Sequence, residues 1–400
     1  MTAASVLLPK FDALDPAVLD DPYPEYARLR AAGPVCRISP ASFGITRHEH
    51  VAPLLRDRRL GNDFPADNPA FTIPEGPANQ VFRRLIPTQD EASHSRLHKL
   101  VVAGFSPGNA RAQADRVREV VARCLAPAAD TGRFDAAADL AFPVAMTVVC
   151  DMLGLPADTP AMWARAGALS RAFTPFLPEP ERPAADAALS WLRAFVADVL
   201  AERRRQPTGD LISRMLAEQD AGLSDDEVVD NVAFLCFTGF ETTMNMVTTG
   251  CLALTRFPDE LRRLAADRSL LPTAIEEFVR LDAPIQYTAR VTQEPIVVGE
   301  RTIKAGRSVL LMLGSANHDE RVFHDPSRLD VGRRPNPHVG FGGGIRGCLG
   351  AALARVEGRA IFDTLLDRVA GLSVAEPPRR EPNALFRGYA SMPLALDPRY

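Results

Sequence analysis

The sequence contains little lysine and no closely paired cysteines. Lysine occurs only at Lys10, Lys99 and Lys304, so arginine carries nearly all of the positive charge. The six cysteines form no C-x-x-C motif, and the chain shows no cysteine pattern for an iron–sulfur cluster. Because the cysteines lie mostly in apolar segments, we expect reduced, buried thiols rather than a disulfide framework.

The chain also lacks an apolar leader and an excess of basic residues. Its first residues, MTAASVLLPKFDALDP, contain no long apolar run, so we predict neither a signal peptide nor a membrane anchor and expect a cytoplasmic protein. The net charge is -4 at pH 7 and the pI is near 6.0, which disfavours a nucleic-acid partner. No low-complexity or Gly/Ser-rich linker divides the chain, and this favours a single domain over residues 1–400.

What the sequence does contain is helical periodicity. Apolar residues recur at helical spacing over long stretches, whereas strand-like segments are short and bounded by glycine or proline. The longest helix is predicted over 224–257, because Ser224 and Glu227 form a capping box at its start and Pro258 follows its end. The middle of this segment is apolar on all sides, so we expect it to cross the core. The predicted fold class is mainly α with small β-sheets.

A glycine-rich loop, GFGGGIRGCLGAALAR at residues 340–355, contains Cys348. Its glycines match the G-x-G-x-x-G spacing of dinucleotide-binding turns, but prolines precede it where a central strand is required and too little chain follows for a second βαβ half. The glycines would instead bring amide groups close to the sulfur, and the helix that begins near Gly350 would add its dipole. Both effects favour a thiolate that acts as a nucleophile or a metal ligand, the alternative being a buried structural cysteine.

The segment FGGGIRGCLGAALAR resembles the haem-binding signature of the cytochromes P450, F-G-x-G-x-[HR]-x-C-x-G-x-x-[LI]-A, at every fixed position. The resemblance implies the helical P450 fold, with haem b between the long central helix and the helix after the cysteine loop. Cys348 would be the axial thiolate ligand of the haem iron, in a signature that includes Gly350. Phe341 would pack beside the sulfur and Arg346 would reach a haem propionate.

The stretch TGFET resembles the distal pattern of the same family, [AG]-G-x-[DE]-T. The resemblance implies that Glu241 and Thr242 are catalytic and relay protons to the reacting oxygen. Thr238 stands where the family usually has alanine or glycine, which would narrow the space over the iron or add a hydroxyl. The alternative is that Thr242 is an ordinary helical threonine bonded to the preceding turn.

An E-x-x-R pair at Glu277 and Arg280 resembles a structural motif of the family. The pattern alone has little specificity, since it also occurs elsewhere in the sequence, for example at Glu260 and Arg263. Only Glu277 and Arg280 precede an extended proline segment and a meander that contains Arg333. The resemblance therefore implies a buried triad of Glu277, Arg280 and Arg333 that supports the proximal side of the haem.

Residues 90–101, DEASHSRLHKLV, resemble a propionate-binding segment of the family. His94 matches that segment, while His98 replaces the usual arginine, and Arg290 corresponds by position to another propionate ligand. The resemblance implies that all three bind haem propionates. Two histidines four residues apart could also bind a metal by themselves, but no third ligand is evident nearby.

The implied activity is that of a haem-thiolate monooxygenase, which inserts one atom of O₂ into an organic substrate. No flavin or iron–sulfur pattern occurs, so NAD(P)H electrons would arrive through a ferredoxin or flavodoxin and its reductase, with Arg96, Lys99 and Arg346 as candidate docking charges. Two alternatives are a peroxide-driven peroxygenase, which the Glu241–Thr242 pair disfavours, and a catalytically silent module that recruits a partner protein.

The residues expected by family position to line a substrate pocket are mostly apolar or aromatic. They favour a bulky hydrophobic substrate of secondary metabolism, free or tethered to a carrier protein, although each could equally belong to the core. The predicted lining residues are Phe71, Phe82, Phe173, Phe176, Phe234, Phe237, Thr238, Ile285, Gln286, Tyr287, Ser391 and Met392.

Overall fold

The computed structural model describes residues 8–62, 77–174, 177–218 and 222–398. Helices dominate this part of the chain, which confirms the predicted fold class of a mainly α protein with small sheets. The helices are α1 (Pro16–Asp20), α2 (Tyr23–Ala32), α3 (His48–Leu54), α4 (Pro77–Phe82), α5 (Glu91–Val102), α6 (Pro107–Ala112), α7 (Ala114–Thr131), α8 (Phe142–Leu153), α9 (Thr159–Trp163), α10 (Ala166–Ala172), α11 (Arg182–Arg205), α12 (Leu211–Ala217), α13 (Asp225–Arg256), α14 (Pro258–Ala266), α15 (Leu271–Leu281), α16 (Leu313–Asn317) and α17 (Ala351–Arg368).

The strands of the described chain are short. They are β1 (Val35–Ser39), β2 (Ser42–Ile45), β3 (Leu60–Gly61), β4 (Arg133–Asp135), β5 (Thr288–Thr292), β6 (Ile296–Val298), β7 (Arg301–Ile303), β8 (Ser308–Leu311), β9 (Val369–Val374), β10 (Arg379–Arg380), β11 (Tyr389–Ser391) and β12 (Pro393–Pro398). The largest sheet has the order β1-β2-β8-β5-β3, in which β2 and β8 are parallel and the other neighbours antiparallel. Smaller sheets pair β4-β12-β9, β6-β7 and β10-β11.

The longest helix, α13, begins and ends where the sequence predicts. The Ser224 hydroxyl accepts a bond from the Glu227 N–H, and the Glu227 carboxylate accepts one from the Ser224 N–H, which completes the capping box. The 32 residues of α13 pack against α8, α11, α15 and α17. At Gly250 an added Cβ would lie 2.7 Å from the Phe362 Cζ, so the close approach of α17 to α13 depends on glycine.

The stretch Ala136–Leu153, which joins a π-helical turn to α8, is long and apolar enough to cross a membrane by length and composition alone. Within the fold, however, 72% of it is buried inside the molecule. Because α8 packs along α13 in the core, protein packing accounts for its apolar composition.

Asp230 ties two flanking segments to α13. Its fully buried carboxylate accepts bonds from the Arg84 Nε and the Arg193 Nε, each at 2.5 Å. Arg84 lies between α4 and α5, and Arg193 lies on α11. The neighbouring Asn231 accepts a bond from the Ile86 N–H at 2.8 Å. These contacts hold the segment before α5 and the middle of α11 against the N-terminal half of α13.

Candidate active site

Cys348 lies at the end of a tight loop just before α17. Its N–H donates to the Phe341 carbonyl at 2.9 Å, and the Gly342 N–H donates to the Val339 carbonyl at 2.8 Å. Gly342 and Gly344 have φ angles of 67° and 68°, in the left-handed region that favours glycine. The glycines therefore turn the loop and present the sulfur at the N-terminal end of α17.

The Cys348 side chain is solvent-accessible although it lies deep in the molecule, so it forms part of a cavity wall. Burial raises the pKa of its thiol, against the Gly350 N–H and the Arg355 charge, which lower it. The sequence led us to expect that amides and the helix dipole would favour the thiolate, and burial outweighs them. A cation at the sulfur, such as iron, would deprotonate the thiol.

One face of α13 also keeps accessible surface inside the core. Phe234, Thr238 and Thr242 are each half-buried, and their i, i+4, i+8 spacing puts them on one side of the helix. The residues from 243 to 254 are all buried, so this accessible face ends at Thr242. An accessible stripe on an otherwise buried helix indicates that it borders an internal space.

The crossing of α13 and α17 lies next to this stripe. The Thr243 hydroxyl on α13 donates to the Glu357 Oε2 on α17 at 2.9 Å. Glu357 follows Cys348 by about 2.5 helical turns. The two helices that the sequence assigns to opposite sides of the haem therefore meet beside Thr242.

Glu241 and Thr242 are adjacent in sequence but make different contacts. The Thr242 hydroxyl donates to the Thr238 carbonyl at 2.8 Å, as in an ordinary helical threonine, while the side chain keeps accessible surface. Glu241 is buried, and burial raises the pKa of its carboxyl to about 7. No hydrogen bond joins the two side chains in the described part of the structure, so the acid and the alcohol lie in separate environments.

A polar network that sequence reasoning missed surrounds Glu241. Its Oε1 accepts bonds from the Ser170 hydroxyl and the Asn245 amide, both at 3.2 Å. The Asn383 amide donates to the Ser170 Oγ at 3.0 Å, and the Asn383 Oδ1 accepts from the Thr174 hydroxyl at 2.8 Å. Only Asn245 had a sequence signal, its i+4 spacing from Glu241 on a helix; the others are isolated polar residues in distant segments.

Four basic side chains predicted to bind propionates lie near one another. The pKa of His94 falls to about 4 through burial and through the charges of Arg346, His98 and Arg290. Burial and the charge of Arg346 lower the pKa of Arg290 to about 10. The Arg290 guanidinium donates to the Thr288 hydroxyl, and both arginines otherwise bond only main-chain carbonyls in the described structure.

Neither Arg290 nor Arg346 forms an ion pair with a carboxylate within the described ranges, although Arg290 is buried and Arg346 is partly buried. Buried cations without counter-ions are costly, so the arrangement suits a bound group that brings negative charges. The His94 and His98 rings stack at 5.4 Å, and the described residues contain no cluster of three or more potential ligands for a metal ion. These observations support the propionate assignment over a metal bound by the histidine pair.

The predicted triad on the proximal side forms in full. Glu277 and Arg280 are fully buried and join at 2.7 Å, and the Arg333 Nε donates to the Glu277 Oε1 at 3.0 Å. The Asn336 amide adds a bond to the other oxygen of Glu277 at 3.1 Å, a contact without a sequence signal. Arg280 also donates to the carbonyls of Asn317 and Pro326, so the triad links α15 to the meander before the cysteine loop.

Comparison with known proteins extends these observations to the whole chain. The family model Cytochrome P450 matches residues 161–385. The chain is 34% identical over 392 residues to the vitamin D(3) 25-hydroxylase of Pseudonocardia autotrophica, covering 95% of this chain and 94% of that protein. It is 31% identical over 407 residues to the cytochrome P450 monooxygenase PikC of Streptomyces venezuelae, covering 98% and 95%. This chain belongs to the cytochrome P450 family.

A solved structure gives the same result for the fold of this P450. P450BioI, in complex with an acyl carrier protein ligated with hexadec-9Z-enoic acid, matches with a TM-score of 0.87 and 29% identity, covering 95% of this chain and 100% of that chain. The predicted class of enzyme, a P450 monooxygenase, is confirmed by these relatives. Membership implies a haem with a cysteine thiolate ligand, and the exposed Cys348, with a nearby basic cluster whose two arginines form no ion pair among the described residues, fits such a group.

The residues predicted to line the substrate pocket of the P450 differ in how much surface they expose. Phe82, Phe234, Thr238 and Ile285 keep accessible surface. Phe71 and Phe176 lie outside the described residues. Five of the predicted lining side chains are buried, at 5% exposure or less, and offer little or no surface to a ligand: Phe173, Phe237, Gln286, Tyr287 and Met392.

Packing and hydrogen bonding determine where several of the predicted lining residues lie. The Phe237 ring stacks on Phe173 at a centroid distance of 4.6 Å, so the two rings cover each other. The Gln286 Oε1 accepts a bond from the Tyr26 hydroxyl at 3.1 Å, which holds the amide in the core. The Ser391 hydroxyl donates to the Asp135 carboxylate at 2.6 Å and thus joins β11 to the end of β4.

The three candidate docking charges also differ from one another in the P450 fold. Arg346 donates to the carbonyls of Pro87 and Gln89, so its guanidinium binds the protein's own main chain and is not free for a docking partner. Arg96 pairs with Glu227 at 2.8 Å. Lys99 is exposed on α5, which leaves it as the strongest of the three candidates for contact with a partner.

Proposed function

We propose that this P450 inserts one oxygen atom of O₂ into a hydrophobic small molecule, with haem b held by Cys348. The observation that carries the proposal is the exposed Cys348 in a glycine-turned loop, together with the buried Arg290, which has no ion pair with a carboxylate among the described residues. When bound, the haem supplies the iron at which O₂ is reduced and activated. His94, His98, Arg290 and Arg346 would hold its propionates, and Phe341 would pack beside the sulfur.

The residues of α13 would supply protons and shape the distal space. The Glu241 carboxyl has a pKa of about 7, so it can release and regain a proton near neutral pH. Ser170 donates a hydrogen bond to Glu241 and connects it to Asn383. Thr242, on the accessible face, would hold a water or the reacting oxygen through its hydroxyl.

This arrangement favours a monooxygenase over a peroxide-driven peroxygenase, because a titratable acid and an accessible hydroxyl are both present on the distal helix. We propose that electrons come from a separate ferredoxin or flavodoxin with an NAD(P)H-dependent reductase. Peroxide alone should then support much less product formation than the full redox system. Equal rates with peroxide and with the redox system would instead identify a peroxygenase.

The partly accessible apolar side chains Phe82, Phe234 and Ile285 of the predicted pocket suit a bulky hydrophobic substrate. Similarity to P450BioI, whose structure contains an acyl carrier protein, supports a carrier-tethered acyl group as one form of this substrate. A screen of free and carrier-bound compounds for a low-spin to high-spin change of the haem spectrum distinguishes the two. We further propose a cytoplasmic location, where such redox partners and carriers are found.

The Cys348→Ser variant tests the ligand assignment. The purified wild-type protein should give the strongly red-shifted Soret band of a ferrous carbonyl complex with thiolate ligation, and Cys348→Ser should lose it. Cys124→Ser is the matched control, because Cys124 is a half-buried free thiol on α7 and its loss should leave the band unchanged. A band that survives in Cys348→Ser would refute the assignment.

A further inference from the structure

Four side chains behind the cysteine loop form a closed cluster, here called the proximal cluster. The Arg355 guanidinium stacks over the Phe341 ring, with its Cζ 4.3 Å from the ring centroid. The Arg355 Nε and Nη2 donate to the two oxygens of Glu276 at 2.6 and 2.9 Å. The Glu276 Oε2 lies 3.0 Å from the His338 Nε2, and the His338 ring lies 5.8 Å from the Phe341 ring. The four side chains therefore contact one another in a closed ring.

The hydrogen bonds of the proximal cluster have a defined direction. The Gly340 N–H donates to the His338 Nδ1 at 3.2 Å, so Nδ1 is an acceptor and Nε2 carries the hydrogen that is donated to Glu276. Burial opposes ionisation of Glu276, but the bonds from Arg355 and His338 lower its pKa to about 2. Glu276 is therefore an anion throughout the physiological range, and it anchors the Arg355 guanidinium in a bidentate pair.

The proximal cluster is connected to Cys348 in two ways. The Phe341 carbonyl, on the residue under the guanidinium, accepts the Cys348 N–H at 2.9 Å. Arg355 follows Cys348 by about two turns along α17. Both links place the guanidinium close to the loop that presents the sulfur.

We propose that Arg355, anchored by Glu276, is a positioning residue that fixes a positive charge against Phe341 beside the Cys348 sulfur and thereby raises the reduction potential of the bound haem. This inference rests on the haem-thiolate function proposed above. Reduction takes one electron from the external reductant and breaks no bond, so the site gains one negative charge. A fixed cation nearby stabilises the reduced state more than the oxidised state, and the paired Glu276 anion offsets part of that stabilisation.

Charge, and not only packing, is what the proposal assigns to Arg355. The Arg355 side chain is 41% exposed, so water weakens the field of its charge without removing it. If Arg355 only packed against its neighbours, its replacement would change the stability of the protein or its haem uptake but not the reduction potential of the haem. The potential therefore separates the two roles.

The test is a spectroelectrochemical titration of the purified, haem-loaded protein without substrate. Arg355→Gln should shift the potential to a more negative value. Arg355→Lys retains the charge but not the planar stacking, and should shift it in the same direction by less. Arg359→Gln is the matched control, because Arg359 is an exposed residue one turn further along α17; it makes the same change of charge and should leave the potential unchanged.

The outcomes separate this inference from the proposed function. Equal potentials in the wild type and Arg355→Gln, or equal shifts in Arg355→Gln and Arg359→Gln, would overturn the role of Arg355. A shift in Arg355→Lys as large as in Arg355→Gln would overturn the account based on charge. If Arg355→Gln takes up no haem, the comparison of Arg355→Lys with Arg359→Lys carries the test. A wild-type protein without the thiolate Soret band would refute the proposed function itself.

Discussion

At the scale of single residues, burial determines how neighbouring side chains differ in chemistry. Glu241 and Thr242 are consecutive, but their side chains point in different directions from the helix. Glu241 is hydrogen-bonded to Ser170 and Asn245, whereas Thr242 lies on an accessible face. The raised pKa of Glu241, about 7, is the property expected of a group that exchanges protons at neutral pH. The sequence motif identifies the pair, but not this division between them.

Removing the Thr242 hydroxyl should uncouple electron use from product formation. In Thr242→Ala the haem spectrum should be unchanged, while product per NAD(P)H falls by roughly tenfold or more and hydrogen peroxide rises, because positioned proton-transfer groups contribute about 10²- to 10⁴-fold. The measurement is the ratio of product to NAD(P)H consumed. Thr248→Ala is the control, since the hydroxyl of the buried Thr248 bonds back to the Met244 and Asn245 carbonyls of the same helix. Unchanged coupling in Thr242→Ala would remove the threonine from the relay.

A second buried acid, Glu357, should make stability depend on pH. Burial raises the pKa of its carboxyl from 4.5 to about 8. The folded protein therefore binds an extra proton between these values, so this stabilisation is complete below pH 4.5 and is lost as the pH rises through 8. Glu357→Gln should lose less stability than the wild type between pH 5 and 8, by up to about 1.4 kcal/mol per pH unit.

Thermal unfolding of the haem-loaded proteins at pH 5 and pH 8 measures this difference. Glu119→Gln on α7 is the control, because the Glu119 side chain is 61% exposed and should follow the wild type. The linkage is absent if Glu357→Gln and the wild type lose the same stability across the range.

At the scale of elements, the joint between α15 and the meander supports the cysteine loop. Glu277 accepts bonds from Arg280, Arg333 and Asn336, all of which converge on one buried carboxylate. An E-x-x-R pair at a helix surface is worth only about 0.2–0.5 kcal/mol. The Glu277–Arg280 pair contributes more to stability because both side chains are fully buried. The E-x-x-R pattern does not by itself indicate this burial.

Glu277→Gln should therefore destabilise the fold by roughly 3–5 kcal/mol, since it leaves Arg280 and Arg333 buried without their counter-ion. Chemical denaturation of the haem-loaded protein measures the loss. Glu25→Gln removes the acid of another E-x-x-R pair, whose Arg28 is 54% exposed, and should cost less than about 1 kcal/mol. Similar losses in the two variants would show that burial of the triad contributes little.

At the scale of the whole molecule, the distribution of charge concerns the redox partner. Only Lys99 among the three candidate docking residues is exposed without an ion pair in the described ranges. Exposed charges mainly change association rates and are screened by salt. Because lysine is rare in this chain, a substitution at Lys99 removes one isolated charge and leaves the arginines of the surface unchanged.

Lys99→Glu should slow reduction of the haem by a ferredoxin at low ionic strength, by several-fold, and the difference should shrink at high salt. Stopped-flow reduction at two salt concentrations measures it. Lys304→Glu, a change of equal charge at an exposed residue after β7, should have little effect. A salt-independent effect, or equal effects of both variants, would rule out docking at Lys99.

The motifs with a fixed local geometry could be found in the sequence alone. The capping box and Pro258 located α13, the glycine loop located Cys348, and the order of motifs identified the family. Each depends on residues close together in the chain, where backbone geometry follows from residue type. The roles of the propionate-binding residues and of the catalytic pair stay predictions from the resemblance. The structure adds that the basic residues lie close together and that Thr242 lies on an accessible face of α13.

Only the tertiary structure decided which side chains face a cavity and which face the core. Phe234 and Phe237 are three residues apart on the same helix, yet Phe234 is accessible and Phe237 is covered by Phe173. The Ser170–Asn383 network and the closed cluster of Arg355, Glu276, His338 and Phe341 also join segments far apart in the chain. By itself the sequence determined the chemistry of the loop, because that chemistry is local; the surroundings of the site depend on packing between distant elements.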